Sequence, residues 1–184
     1  MAKKNKWIII EKLGEEVLSY VEGCLFEIGI GKSTHILKRL ADNFKRDLYC
    51  FDKQEKLCVW AKELGCKVYL GKSLDSFRLF PRIRVALGLI DGRHEAETVR
   101  KELAFFLDLL SIHGVIFMHD TYLQTDERMR NEDDPRGAAG EVYKVRQEME
   151  IDDRVQTFTW PYSAGNCGLT MIMKLDPNRP YFRK

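Results

Sequence analysis

The residues of this chain that could do chemistry gather at one glycine turn and at the ends of the apolar runs that follow it. Leu25 to Thr34 reads Leu-Phe-Glu-Ile-Gly-Ile-Gly-Lys-Ser-Thr. Leu25, Phe26, Ile28 and Ile30 are apolar and β-prone, with Glu27 the one acid among them. A short apolar run ended by closely spaced glycines is how a buried parallel strand passes into a helix. Gly29 and Gly31 would let a ligand approach the backbone. Ser33 or Thr34 could cap the next helix, whose free N–H groups favour anions or hydroxyls.

Two ligand chemistries compete for this turn. Gly31-Lys32-Ser33-Thr34 resembles the tail of a phosphate-binding loop. That motif requires glycine where Phe26 stands, and Glu27 would place a carboxylate inside a phosphate cradle. The other reading, E-x-G-x-G, is the nucleoside-binding turn of a Rossmann-like sheet. Asp52 favours it. This acid ends the next apolar run, about 20 residues beyond the glycines, where a βαβ unit sets a carboxylate against the two ribose hydroxyls. An ionised carboxylate accepts from both hydroxyls, so the position calls for Asp or Glu. A turn or helix-capping aspartate is the simpler alternative.

The elements that must position these residues follow a βα alternation. Leu13, Val17, Leu18 and Val21 are spaced as the buried stripe of a helix over Ile10–Val21. Strands are expected at Leu25–Gly29, Asp47–Lys53, Cys66–Leu70, Arg84–Asp91 and Val115–Met118. Helices are expected at Ser33–Phe44, Glu55–Leu64 and Glu95–Ser111, with a short crossover in Leu74–Arg84 limited by Pro81. Gly71 and Ser73, with Leu74, close the third strand on the same sheet edge as Glu27 and Asp52. The fourth strand ends on Asp91 and leads into His94, and the fifth ends on His119-Asp120-Thr121. Residues 121–140 read as a variable polar loop, either a substrate loop or an irregular excursion. A helix at Glu141–Glu150 and two strands, Val155–Trp160 and Leu169–Lys174, complete the chain. The last two have no helix between them, which predicts an antiparallel closing pair.

The bulk numbers narrow the class. A chain of 184 residues is long enough for one domain, 1–184, with helices on both faces of a single sheet, preceded by a tail and short helix over residues 1–24. Apolar residues make up 45% and charged residues 32%, as in a globular protein. A net charge of +2 carries no electrostatic footprint for nucleic acid. The five cysteines are scattered, with no C-x-x-C pair, as expected of buried thiols in a reducing compartment. No apolar run reaches the roughly 20 residues of a membrane span. The expectation is a cytoplasmic protein with no membrane and no nucleic-acid partner.

The whole pattern resembles the class I S-adenosylmethionine-dependent methyltransferases, a Rossmann-like three-layer α/β sandwich whose mostly parallel seven-stranded sheet ends in an antiparallel pair. Phe26 to Thr34 resembles the first motif of the small-molecule O-methyltransferases of the catechol, macrocin and cephalosporin-tailoring groups. Ile90-Asp-Gly-Arg-His94 and Gly114-Val-Ile-Phe-Met-His-Asp120 resemble later motifs of those groups. The resemblance spans about Leu25 to Lys174. It implies S-adenosylmethionine as cofactor, bound through Glu27, Gly29, Gly31, Ser33, Thr34, Asp52, Lys53, Gly71, Ser73, Leu74 and Asp91. It also implies Mg²⁺ ligands at Asp91 and Asp120, and a general base at His94, so that His94, Asp91 and Asp120 form the catalytic set. The implied reaction is methyl transfer to a small hydroxylated acceptor. The sequence departs from the family pattern where a third oxygen ligand is usual, since His119 and Thr121 flank Asp120. Only a short segment precedes the first strand, so the family's usual N-terminal lid is expected to be reduced or supplied by another subunit of a homo-oligomer. These departures motivate the alternative of a cofactor- or partner-binding module without chemistry.

Overall fold

The computed structural model describes residues 7–122, 140–161 and 167–178. Seven strands form one sheet in the order β3-β2-β1-β4-β5-β7-β6. They are β1 Cys24–Ile28, β2 Leu48–Asp52, β3 Lys67–Leu70, β4 Val85–Ile90, β5 Leu110–His119, β6 Val155–Trp160 and β7 Leu169–Lys174. The first five in sequence pair in parallel, and β7 runs antiparallel between β5 and β6. This is the expected architecture. Its physical origin is that helical crossovers bring each of the first five strands back in the same direction, whereas β6 and β7 have no crossover helix between them.

Helices cover both faces of the sheet. They are α1 Ile8–Tyr20, α2 Thr34–Asn43, α3 Glu55–Glu63, α4 Ser73–Ser76, α5 Ala96–Leu109 and α6 Val142–Glu150, with a 3₁₀ turn at Phe77–Leu79. One core layer joins Ile10, Leu18, Leu37, Leu40 and Ala61 to Leu25, Cys50, Leu87 and Phe117 of the sheet. The other joins Phe77, Val99, Leu103, Phe106 and Val145 to Phe26, Phe51, Ile90 and Ile116. The Phe26 ring lies flat on Gly88, where a Cβ would come within 2.0 Å of it, and stacks on Phe106 with centroids 3.5 Å apart. That contact sets β1, β4 and α5 at a fixed spacing, and burial of each such ring is worth about 2 to 3 kcal/mol.

The order of strands reverses between β1 and β4, which are direct neighbours. Helices from the two strands leave to opposite faces there, so a crevice opens at their carboxyl ends. Glycine makes the crevice possible. Gly29 has φ +90, and a Cβ on it would meet the Asp91 carbonyl oxygen at 2.0 Å. The loops after β1 and β4 could not approach so closely with any side chain in between.

One boundary differs from the sequence expectation. Helix α5 ends at Leu109, two residues before the expected Ser111, and β5 begins at once at Leu110, five residues before the expected Val115. Val85 pairs with Leu110 but Leu87 pairs with Val115, so the extra residues bulge out through His113 at φ 65. Lys174 makes this early start possible, because its Nζ donates to the carbonyls of Leu107 at 2.8 Å and Leu110 at 3.0 Å. The end of the helix is thereby satisfied by a residue 64 positions away, which no local pattern reveals. Most of the predicted variable loop, residues 123–139, lies outside the described residues. Among the described residues no helix is long and apolar enough to cross a membrane.

Candidate active site

A cavity of about 630 Å³ fills the crevice. Its floor is Gly29, Ile30 and Gly31 after β1, with Asp52 and Lys53 after β2. Gly71, Ser73 and Leu74 after β3 and Asp91 to Arg93 after β4 close its sides, and Thr98 and Glu102 of α5 form the far wall. Eight of the residues singled out in the sequence for the cofactor therefore line it: Gly29, Gly31, Asp52, Lys53, Gly71, Ser73, Leu74 and Asp91. Gly31 has no atom within 4 Å of where a Cβ would stand, so space rather than packing calls for a glycine there. Asp52 is held by two backbone N–H groups, from Ile30 to Oδ2 at 2.9 Å and from Gln54 to Oδ1 at 2.7 Å. Each oxygen keeps a lone pair for a hydroxyl in the cavity.

Glu27, Ser33 and Thr34 sit differently from the expectation. None of the three is among the lining residues, and all are buried. The Ser33 hydroxyl donates to Glu27 Oε1 and the Thr34 hydroxyl to Oε2, both at 2.6 Å. The Cys50 thiol approaches Oε2 at 3.8 Å. Thr34 Oγ1 in turn accepts the Gly31 N–H at 3.0 Å. Ser33 makes no side-chain cap, because its hydroxyl is spent on the carboxyl. The physical reason is geometric. Glu27 lies inside β1 and points into the sheet's α2 side, where the two hydroxyls at the start of the next helix are the available partners. Burial pushes the Glu27 carboxyl up to about 8, against the downward pull of the Ser33 and Thr34 hydroxyls. Glu27 thus braces the glycine turn from beneath. Lys32 also stands apart from the cavity, bordering a shallow apolar hollow with His35, Leu57 and Trp60, so the phosphate-loop reading has no support.

At the β4–β5 end of the crevice two carboxylates and two imidazoles meet. His94 Nε2 is 3.0 Å from Asp120 Oδ2 and 3.9 Å from Asp91 Oδ1. His119 Nδ1 is 3.0 Å from Asp91 Oδ1 and 3.2 Å from Asp120 Oδ2. Asp120 takes φ 57, a left-handed conformation that Asp tolerates better than most residues and that turns its carboxylate back toward Asp91. Burial works against charge on His119, but its bonds to Asp120 and Asp91 outweigh that and raise it to about 11. Burial likewise opposes charge on Asp120, and both histidines overcome it to hold the carboxyl well below its ordinary range. His94 is fixed from behind: its carbonyl accepts the Glu141 N–H at 2.7 Å, and Gly140 packs so tightly that a Cβ there would lie 2.4 Å from the His94 Cβ. The Trp7 ring covers His119 with centroids 5.0 Å apart.

These four side chains and the cavity share one wall, Asp91. Asp91, His94 and Asp120 each offer a ligand atom, all within 4.8 Å of one another. Residues 26–121, which carry the whole of this arrangement, match the family profile described as a methyltransferase domain.

The chain belongs to that methyltransferase family.

Solved structures agree on the fold of this methyltransferase. An O-methyltransferase from Bacillus cereus in complex with SAH gives a TM-score of 0.71 at 15% identity, over 95% of this chain and 82% of that one. The O-methyltransferase TomG from Streptomyces achromogenes, involved in tomaymycin synthesis and in complex with SAM, gives 0.68 at 16% identity, over 90% and 79%. MycE, a methyltransferase of the mycinamycin biosynthetic pathway in complex with Mg and SAH, gives 0.64 at 13% identity, over 94% of this chain and 50% of that one. Identities this low establish a common fold. No curated protein matches the sequence.

Two polar residues of this region were not marked by the sequence pattern. His119 was legible only as an interruption of the expected oxygen ligands, yet it bridges both acids. Glu102 lies in the buried stripe of α5 with Val99, Leu103 and Phe106. A charge at helical spacing inside an apolar stripe was the signal that could have marked it.

Proposed function

We propose that the protein transfers a methyl group from S-adenosylmethionine to the hydroxyl of a small acceptor, with a divalent cation such as Mg²⁺ held at Asp91 and Asp120. The observation that carries this reading is one cavity that runs from the Gly29–Gly31 turn, past the Asp52 carboxylate, to Asp91, whose carboxylate also belongs to the cluster with His94 and Asp120 just beyond the cavity lining. The glycines leave room for the amino-acid end and sulfonium of the cofactor, and Asp52 accepts from the ribose hydroxyls. The new O–C bond forms as the C–S bond breaks, leaving a neutral thioether. Catalysis then consists mostly of holding the three atoms in line.

The acceptor proton needs a base. His119 Nδ1 lies between the two carboxylates, so His94 is the imidazole suited to receive it, and its backbone anchorage by Glu141 keeps the ring in place. The donor set fits a divalent cation, since the Asp91 and Asp120 carboxylates converge within 4.8 Å and offer it oxygen ligands. When bound, such an ion supplies positive charge that lowers the pKa of an acceptor hydroxyl.

Calorimetry with S-adenosylhomocysteine tests the cofactor. Binding to the wild type, weakened by at least about 1 kcal/mol in Asp52→Ala, is expected for loss of charge-assisted hydrogen bonds. Absence of binding to the wild type overturns the proposal. Transfer to a panel of catechol-like and sugar hydroxyl acceptors should be lost in Asp120→Asn and in His94→Ala.

A second reading rests on His119. Its Nδ1 already sits between Asp91 and Asp120, where it neutralises the pair as a cation would. The site then works without metal. Transfer that survives chelation by EDTA supports this version, and transfer that returns only on adding Mg²⁺ supports the first.

A further inference from the structure

We propose that Glu102 reads the purine of the cofactor, its Oε2 accepting a hydrogen bond from the exocyclic amino group of adenine. The inference rests on the S-adenosyl reading of the cavity and adds to it a specificity-determining residue on α5.

The layout of the cavity places the base. With the thioether beside Gly29 and Asp91 and the ribose on Asp52, the remaining wall is formed by Ser73, Leu74, Thr98 and Glu102. Leu74 supplies an apolar surface for a ring face. Glu102 supplies the acid at the back.

That acid is unusual in its surroundings. Glu102 is 0% exposed, on the apolar face of α5 beside Phe106. Its Oε1 accepts from the Ser73 hydroxyl, which fixes the rotamer of the carboxyl. Its Oε2 is buried and has no hydrogen-bond partner among the described residues. A buried carboxyl oxygen without a partner costs on the order of 1 to 3 kcal/mol. A purely structural tie between α4 and α5 would need only the oxygen that meets Ser73, and an apolar residue would fill the remaining space at lower cost. The second oxygen is accounted for by a donor that arrives with the ligand. The nucleoside has one suitable donor at its base end, the 6-amino group. Burial pushes the Glu102 carboxyl up to about 7, against the downward pull of the Ser73 hydroxyl, so the carboxylate prevails above that pH. In that form a 6-oxo purine would press a carbonyl against it, and a site built to pair a buried polar group rejects ligands that leave it unpaired. Glu102 would in this way discriminate adenine from the oxidised purines.

The test is calorimetry on the full chain at about pH 8.5, where Glu102 is ionised, with S-adenosylhomocysteine, its 6-oxo (inosine) analogue and its 6-unsubstituted purine analogue. The wild type should favour the 6-amino ligand by about 10- to 100-fold, the range of one hydrogen bond to a charged group. Glu102→Leu, similar in volume and apolar, should lower S-adenosylhomocysteine affinity and bring the three ligands within about threefold of one another. In Glu102→Gln the Ser73 hydroxyl retains the amide oxygen and turns the amide N–H₂ toward the base, so the preference should shift to the 6-oxo analogue. This inversion decides the matter even if Glu102→Leu fails to fold. Unchanged discrimination in either folded variant overturns the role of Glu102 while leaving the cofactor reading intact. Failure of the wild type to bind S-adenosylhomocysteine overturns both.

Discussion

Replacing Glu27 with Gln tests whether burial or hydrogen bonding controls the carboxyl beneath the glycine turn. Burial raises this group from the ordinary 4.5 to about 8 in the folded chain. The unfolded chain keeps the ordinary value, so between those two pH values the folded state holds one proton more. Stability contributed by such a group is fully present below its unfolded pKa and is lost as pH rises through the folded one. The slope is about 1.4 kcal/mol per pH unit, and the whole interval amounts to about 5 kcal/mol. Glu27→Gln cannot ionise and lacks this loss. It should lie within about 1 kcal/mol of the wild type near pH 5, because the protonated carboxyl and the amide alike offer Ser33 and Thr34 one carbonyl oxygen and one donor. Its stability relative to the wild type should climb steadily from there, so that the variant is the more stable protein by about pH 7. Urea unfolding of both proteins at four pH values measures this directly. Other titrating groups, His119 among them, are common to both chains and cancel in the difference. A difference that stays flat from about pH 5 to pH 8 refutes the reasoning, for it means that the two hydroxyls hold Glu27 ionised despite its burial.

Three further outcomes follow from the same turn. Gly29→Ala should lose at least about 3 kcal/mol in thermal unfolding, because its Cβ meets the Asp91 carbonyl at 2.0 Å in a backbone at φ +90. Gly31→Ala should melt within about 0.5 kcal/mol of the wild type, since its Cβ meets nothing within 4 Å, yet calorimetry should show weakened S-adenosylhomocysteine binding where the methyl intrudes on the cavity. Thr34→Val keeps the side-chain shape but removes a donor to Glu27 and the acceptor of the Gly31 N–H. It should cost about 1 to 3 kcal/mol in urea unfolding, with weaker cofactor binding as the turn loosens.

The sequence by itself determined the order of strands and helices, the glycine turn, and the acids at the ends of β2, β4 and β5. These are local matters. Apolar runs, glycine spacing and the absence of a helix between β6 and β7 are written along the chain, and each strand end is a place where the chain must turn and can carry a polar group. Asp52, Asp91 and Asp120 are therefore legible in the sequence as strand-end acids, and the resemblance to O-methyltransferases implies roles for them. The tertiary structure alone decided which way the side chains face. Glu27 appeared to be a cofactor residue in the linear motif, but its carboxyl turns inward to Ser33 and Thr34 because a strand interior offers only the two faces of the sheet. His119 became the bridge between Asp91 and Asp120 through a contact with a residue 28 positions away. Glu102 meets Ser73 across 29 positions. Contacts of that separation depend on how helices and strands pack, and a single sequence holds no record of them.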